Sequence, residues 1–171
     1  MRNRKSLKSL IHLLLPIGCL LAILQPAAAD ERDDCTSNAG TLLTGRVISG
    51  PRFVHGHDLR GVELSHTHVR LRGDDGKMYD IAIDDVFAEG YDQAGESVPE
   101  PLSRIRPGDH LELCGKPYAS GGRGMDWVHT NCGERPTRSK PDGWVKVIGP
   151  DGTTGPNLES SQEYCRIWQR H

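Results

Sequence analysis

The segment DWVHTNC, residues 126–132, concentrates side chains whose types could do chemistry. A histidine beside an amide, a hydroxyl or a carboxylate can act as a general base or as a ligand, and a tryptophan can stack on a sugar or peptide ring. Alternation along an extended strand places Trp127, His129 and Asn131 on one face and Cys132 on the other. These three residues are the candidate ligand-binding site. The structural alternative is a half-buried histidine whose ring nitrogens are satisfied by its neighbours.

Two pairs of histidines are candidate metal ligands. They are His55 with His57 in HGH, and His66 with His68 in SHTH. Each pair faces one side of an extended strand, so pairs on neighbouring strands could offer Zn²⁺ or Cu²⁺ up to four imidazoles. Apart from this zinc or copper, the sequence predicts no cofactor. The alternative is that the histidines are solvated, because His68 shares its predicted face with Arg70 and Arg72, which oppose a cation.

Familiar catalytic signatures are absent from the sequence. It contains no GxSxG, no HExxH and no Walker motif. The adjacent pairs Asp74 with Asp75 and Asp84 with Asp85 lie in a predicted turn or point to opposite faces of a strand, so they do not predict paired-carboxylate catalysis. The sequence therefore favours a binding or interaction module over an enzyme. A metal-binding protein or a metal-dependent hydrolase that uses the histidine pairs is the alternative function.

The N-terminus has the parts of a secretory signal peptide. The basic segment MRNRKSLKS precedes the apolar run LIHLLLPIGCLLAIL, and three alanines at 27–29 precede an acidic stretch. His12 and Pro16 interrupt the run, which is shorter than the roughly 20 residues of a membrane-spanning helix. We therefore expect a Sec-type signal peptide at 1–29, cleaved after Ala29. The mature protein would be periplasmic or secreted.

Cleavage would leave residues 30–171, a length that suits one domain. Four of the 21 lysines and arginines lie within residues 1–29 and all 23 aspartates and glutamates lie within residues 30–171, so the mature formal charge is about −6. An acidic exported chain is a poor match for nucleic-acid phosphates or anionic membranes. We therefore expect no nucleic-acid partner and no integral membrane segment after cleavage. The expected partner is an unknown small ligand or an envelope protein.

Four cysteines remain in the mature chain: Cys35, Cys114, Cys132 and Cys165. An even number in a small exported domain indicates two disulfides, and the long, irregular spacings do not match the CxxC pairs of a four-thiolate zinc site. The sequence alone allows three pairings. A strand at DWVHTNC returning antiparallel to HLELC would bring Cys132 next to Cys114. We therefore predict Cys114–Cys132, with Cys35–Cys165 joining the two ends of the mature chain.

Glycine and proline separate short apolar stretches, a pattern typical of an all-β domain. Residues 42–50 predict a first strand, and 67–87 alternate around a DDG turn as a hairpin with one buried face. Residues 88–101 are expected to form a surface loop. A strand within 102–115 is entered through an RPGD turn, and DWVHTNC would supply the next strand.

These elements predict a small OB-like five-stranded barrel whose core covers residues 42–148. The C-terminal extension, 149–171, is expected to be tied to the barrel by a disulfide. Its segment from residue 155 onward is compatible with a short helix or with a closing strand. Trp127 and Trp144 are either core residues of the barrel or stacking platforms, and the PDGWVKV turn-to-strand pattern favours the core for Trp144.

The residues GMDWVHTNCGERPTRSKPDGWVKV, from Gly124 to Val147, resemble a class of small exported bacterial domains of unknown function. That class is marked by a Gly-rich loop, a Trp-x-His segment and an Asp-Gly-Trp motif. The upstream PGDHLELCGKPY is similar to the segment that precedes Trp-x-His in those domains. The resemblance covers residues 45–147 and implies an OB-like barrel outside the cytoplasm, with no established activity to carry over. We therefore expect an exported, disulfide-stabilised binding module of the bacterial envelope.

Overall fold

The computed structural model describes residues 27–118 and 123–169. The signal peptide predicted for 1–29 lies outside these residues except for its last three positions, which begin helix α1, Ala27–Ser37. Among the described residues, no helix is long and apolar enough to cross a membrane.

The described residues form one six-stranded sheet. Its strands are β1 (Thr41–Leu59), β2 (Val62–Gly73), β3 (Met78–Asp84), β4 (His110–Pro117), β5 (Gly124–Asp126) and β6 (Trp144–Ile148). The sheet order is β1-β2-β3-β5-β4-β6. An additional pairing of β1 with β4 closes the ring β1-β2-β3-β5-β4, and β6 pairs with β4 outside it. Neighbours are antiparallel except for β3 and β5, which run parallel. The predicted OB-like five-stranded barrel is confirmed.

Alternation along the β2–β3 hairpin places its apolar side chains in the core, as predicted. Val69 pairs with Ile81 and Leu71 pairs with Tyr79, and Val69, Leu71 and Ile81 are completely buried. The alternate positions carry histidine, arginine and aspartate. The segment 88–101, predicted to be a loop, contains the one-turn helix α2 (Tyr91–Ala94) and the start of the one-turn helix α3 (Glu100–Ser103).

The first strand is longer than predicted. Instead of ending at Gly50, β1 continues to Leu59, because shifts in its pairing with β2 accommodate Gly50 and Pro51 without breaking the sheet. The strand then turns at Arg60 and Gly61, whose φ values of 55° and 80° suit a two-residue hairpin turn. Residues 52–65 of this hairpin are called the hairpin arm below.

The structure confirms two disulfides but corrects their pairing. Cys35 bonds Cys114, with 5.6 Å between their Cα atoms, and Cys132 bonds Cys165, with 5.2 Å. The predicted Cys114–Cys132 and Cys35–Cys165 pairs are both wrong. β5 ends at Asp126, and its register with β4, in which Lys116 pairs with Asp126, would not place Cys132 opposite Cys114 even in a longer strand. Instead β6 occupies the position beside Cys114, which pairs with Trp144. Two disulfides indicate an oxidising, extracytoplasmic compartment.

The C-terminal tail, residues 149–169 of the described chain, is mostly irregular. Its one helical turn is the short 3₁₀ helix Cys165–Ile167, and of the two forms compatible with the sequence the described tail contains this helical turn and no closing strand. The tail packs on the barrel through a second apolar cluster, separate from the barrel core, that contains Leu64, Phe87 and Ile167. The predicted disulfide-tied tail is therefore present, with Cys132 as the partner of Cys165.

Candidate functional site

A cavity of about 250 Å³ lies between the hairpin arm, the end of β3, the segment 127–140 and the C-terminal tail. Leu59 and Leu64 line it from the arm, and Trp168 lines it from the tail. Arg60 at the tip of the arm donates a hydrogen bond to the backbone oxygen of Gln169, at 2.9 Å. The cavity is therefore a feature of the docked tail and not of the barrel alone.

The three residues singled out in DWVHTNC all line this cavity. Trp127, His129 and Asn131 belong to its wall, so the structure brings together the residues that the sequence grouped on one face. The reason differs from the predicted strand. Trp127 follows the last residue of β5 and has a φ of 54°, in the left-handed region that a bulky side chain rarely adopts. The chain therefore turns away from strand geometry at the first residue of the site.

Asn131 shapes the cavity wall through the turn that it stabilises. Its Nδ2 donates to the backbone oxygen of Glu134 at 2.8 Å, and its Oδ1 accepts from the Gly133 backbone N–H at 2.9 Å. Its own backbone N–H donates to Asp142 at 2.8 Å. Because these bonds are local, the geometry gives Asn131 a positioning role in the loop.

His129 is the most enclosed polar residue of the wall, with 3 % of its surface exposed. Its ring stacks on Phe87 with 3.7 Å between centroids and 7° between planes. Its Nδ1–H donates to the backbone oxygen of Thr130 at 2.7 Å. Burial lowers the pKa of His129, an effect that the nearby Asp84 partly opposes. The neutral ring therefore carries its free lone pair on Nε2.

Asp84, at the end of β3, lies between two imidazoles. Its Oδ1 is 3.0 Å from Nε2 of His66, and its Oδ2 is 3.4 Å from Nε2 of His129. The hydrogen bond to Asp84 is the main cause of a raised pKa for His66. The same carboxylate thus contacts one histidine whose pKa is raised and one whose pKa is lowered.

Two buried carboxyl groups lie close to Asp84. Asp85 accepts hydrogen bonds from Ser65 at 2.8 Å and from Thr67 at 2.6 Å, and burial raises its pKa to about 6. Glu159 of the tail is completely buried, and neither carboxyl oxygen has a hydrogen-bond partner among the described residues. Burial, with Asp84 and Asp85 nearby, raises the pKa of Glu159 well above its usual value. The surroundings of Asp84 therefore oppose additional negative charge.

The four histidines predicted to bind a metal do not assemble. His55 contacts Glu63 at 2.9 Å, and His68 contacts Asp80 at 3.0 Å. His57 lines the cavity instead. Within residues 27–118 and 123–169, no group of three or more His, Cys, Asp or Glu side chains could hold a metal ion. The pairing shift between Val54 and His57 interrupts the alternation on which the prediction depended.

Sequence reasoning missed the residues that reach the cavity from other elements. Asp84, Phe87 and Trp168 line it, yet they are separated from DWVHTNC by at least 36 positions. The one available signal was the adjacent acidic pair at the end of the hairpin. Its members do point to different places, with Asp84 on the cavity side and Asp85 bonded to buried hydroxyls.

Comparison of the chain with protein-family models, curated proteins and solved structures finds no significant match. The resemblance of residues 45–147 to small exported bacterial domains therefore stays a prediction.

Proposed function

We propose that the mature protein is an exported binding module of the bacterial envelope that holds a small ligand in the cavity. The observation that carries this proposal is the convergence of three aromatic rings, from Phe87, Trp127 and Trp168, on one cavity that also contains Asp84 and His129. Ligand cavities are mostly apolar and contain a few placed polar groups. This cavity has that composition, so binding is the function that its chemistry supports best.

The supports of the cavity wall also favour binding, because a binding site needs side chains held in place by neighbouring contacts. The Cys132–Cys165 disulfide joins the wall to the tail. The Thr130 backbone N–H donates to the backbone oxygen of Glu159 at 2.9 Å, which is a second link between the same segments. Gly143 donates to the His129 backbone oxygen at 2.7 Å. The disulfide and the two hydrogen bonds therefore fix the backbone at His129 and at the residues that follow it.

The position of the cavity on the fold gives further support by analogy. Leu64 and Asp84 line it from the outward-facing positions of β2 and β3, and OB-fold barrels use this part of the sheet and the adjoining loops for ligands. The analogy concerns the place of the site. It does not choose the ligand, because one fold hosts many functions.

The export part of the proposal rests on the signal-like N-terminus, with cleavage after Ala29. Two disulfides agree with an oxidising destination. Cleavage there would leave Asp30 as the first residue, five positions before Cys35, which is bonded to β4. The proposed mature form is a periplasmic or secreted protein whose N-terminal segment is attached to β4 by the Cys35–Cys114 disulfide.

The three tryptophans of the chain provide the test. Trp127 and Trp168 line the cavity, whereas Trp144 is buried elsewhere and donates its indole N–H to Glu112 at 3.0 Å. We would label the oxidised mature chain with fluorotryptophan, assign the fluorine resonances by single Trp→Phe variants, and titrate a panel of small ring-containing amines, alcohols, carboxylates and sugars.

We expect at least one compound of the panel to shift the Trp127 and Trp168 resonances in a saturable way, while the Trp144 resonance stays in place. Equal shifts of all three resonances would indicate nonspecific binding and contradict the proposal. A panel that moves none of them also contradicts it.

A further inference from the structure

We propose that the cavity selects a small organic ammonium ion, the protonated form of a primary amine with an apolar body. This proposal rests on the binding function proposed above. The inference comes from the hydrogen-bonding character of two polar groups in the wall, Asp84 and His129, from the charge at Asp84, and from the aromatic residues around them.

The first step is an excess of acceptors. The Thr130 backbone oxygen takes the Nδ1 proton of His129, so Nε2 of the neutral ring is an acceptor. Oδ2 of Asp84 lies 3.4 Å from Nε2 and is also an acceptor. Two acceptors at this distance cannot bond each other. A ligand group with at least two N–H bonds satisfies both at once, as a primary ammonium does.

The second step is charge. Asp84 is the carboxylate that meets both the cavity and His129, and the buried Asp85, whose pKa is about 6, is a second carboxylate near it at pH 7.5. The positive group in the wall, Lys140, is paired with Glu134 at 3.2 Å. His66 contacts Oδ1 of Asp84 at 3.0 Å, so a cationic ligand is complementary to Oδ2, the oxygen beside His129, where a carboxylate ligand would meet like charge.

The third step is the apolar surface. Trp127, Phe87 and Trp168 line the cavity. Phe87 stacks on both His129 and Trp168, so the indoles are the rings that can attract an organic cation over a face. They also cover the apolar body that carries the ammonium group. A cavity of about 250 Å³ is below the range of roughly 300 to 1,000 Å³ typical of drug-sized ligands. The ligand is therefore of the size of one ring with a short arm.

The test compares probes of one shape and different chemistry. Benzylamine brings a cation with three N–H donors, benzyltrimethylammonium a cation without donors, benzyl alcohol a neutral isostere, and benzoate an anion. We would measure each affinity at pH 7.5 from the fluorine shifts of Trp127 and Trp168. We expect benzylamine to bind about tenfold or more tightly than the other three, since one charge-assisted hydrogen bond accounts for a factor of that order.

Equal or tighter binding of benzyl alcohol, benzoate or benzyltrimethylammonium overturns the ammonium inference and leaves the binding function standing. If none of the four probes binds while another compound of the wider panel does, the inference is also overturned and the binding function again survives. If no compound of either set binds, both fail.

Substitution of Asp84 tests whether its charge causes the selectivity for benzylamine. Asp84→Asn keeps the shape and removes the charge, so we expect benzylamine affinity to fall about tenfold while benzyl alcohol affinity changes less than twofold. The matched control is Asp80→Asn, since Asp80 contacts His68 at 3.0 Å on the same strand but does not line the cavity. We expect it to bind benzylamine as the parent protein does.

The benzyl alcohol measurement shows whether Asp84→Asn retains a folded cavity. An equal loss of amine and alcohol binding overturns the role assigned to Asp84. His66→Gln provides an independent variant, because it leaves the carboxylate in place and removes its second imidazole. We expect this variant to keep or strengthen benzylamine binding, and a tenfold loss would contradict the inference.

Discussion

Asp84 and Asp85 are adjacent in the chain and have different surroundings. Asp84 reaches the cavity and lies between His66 and His129. Asp85 is completely buried and accepts hydrogen bonds from Ser65 and Thr67. The difference follows from the alternation of side chains at the end of a strand. One residue is thereby available to a ligand, and its neighbour contributes to the pH dependence of folding.

The pKa of Asp85 predicts the sign of that dependence. Burial raises this pKa from 3.8 to about 6, so the folded protein binds the proton more tightly than the unfolded chain. The corresponding stability is present in full below pH 3.8 and is lost as the pH rises through about 6. A shift of two pKa units corresponds to about 3 kcal/mol.

We expect Asp85→Asn to reduce the decline of the free energy of unfolding between pH 4 and pH 6.5. Guanidinium unfolding with intact disulfides measures this decline, and the exposed Asp33→Asn serves as the control that keeps it. Glu159, whose pKa is also raised, contributes in the same direction, so some decline remains in the variant. If the free energy of unfolding falls equally with pH in Asp85→Asn and in the parent protein, Asp85 is not a cause of the decline.

At the scale of elements, the predicted parts of the fold are those in which side-chain alternation is regular. The β2–β3 hairpin and the barrel follow directly from it. The disulfide pairing did not, because β5 ends at Asp126 and the chain turns away at Trp127, whose φ is positive. Nothing in the alternation of DWVHTNC signals such a turn at a tryptophan. The predicted histidine pairs are dispersed for a similar reason, since a pairing shift inside β1 interrupts the alternation that would align His55 with His57.

The tail and its disulfide are the elements on which the cavity depends most. We expect the double variant Cys132→Ala/Cys165→Ala to lose ligand binding while the barrel stays folded, because Trp168 lies in the tail and Trp127 in the linked loop. A crosslink between residues 33 positions apart contributes about 4 kcal/mol through loop-closure entropy. Fluorine NMR would report the two cavity tryptophans, and circular dichroism the strands.

The double variant Cys35→Ala/Cys114→Ala is the matched comparison. Its crosslink spans 79 positions and has a similar expected contribution to stability, but it joins α1 to β4 and not the tail to the cavity wall. We expect this variant to keep binding the same probe at temperatures where it is folded. Equal loss of binding in both variants would contradict a specific role for the tail.

At the scale of the whole molecule, the barrel carries an attached segment at each end of the described chain. α1 is held by the Cys35–Cys114 disulfide and by an ion pair of 3.0 Å between Glu31 and Lys146. The tail is held by the other disulfide and by the second apolar cluster. Both α1 and the C-terminal tail are therefore fixed to the barrel, and only the tail contributes residues to the candidate site.

Removal of the predicted signal peptide would change the length of the whole protein. We expect the protein recovered from a bacterial envelope fraction to begin at Asp30, because the three alanines before it form the expected cleavage site. Intact-mass spectrometry after thiol alkylation would show this start and two disulfides. A protein that retains residues 1–29 and alkylates at every cysteine in a cytoplasmic fraction would contradict the prediction.

The disulfide connectivity also has a consequence for biogenesis. Both bonds join cysteines that are consecutive in the sequence after residue 30, Cys35 with Cys114 and Cys132 with Cys165. A chain that crosses a membrane from its N-terminus presents Cys35 and Cys114 before either of the others. An oxidase that joins cysteines in their order of emergence therefore produces both native bonds directly, and thiol–disulfide exchange is not needed to correct them. The cavity wall, which requires Cys165, is then the last part of the protein to be completed.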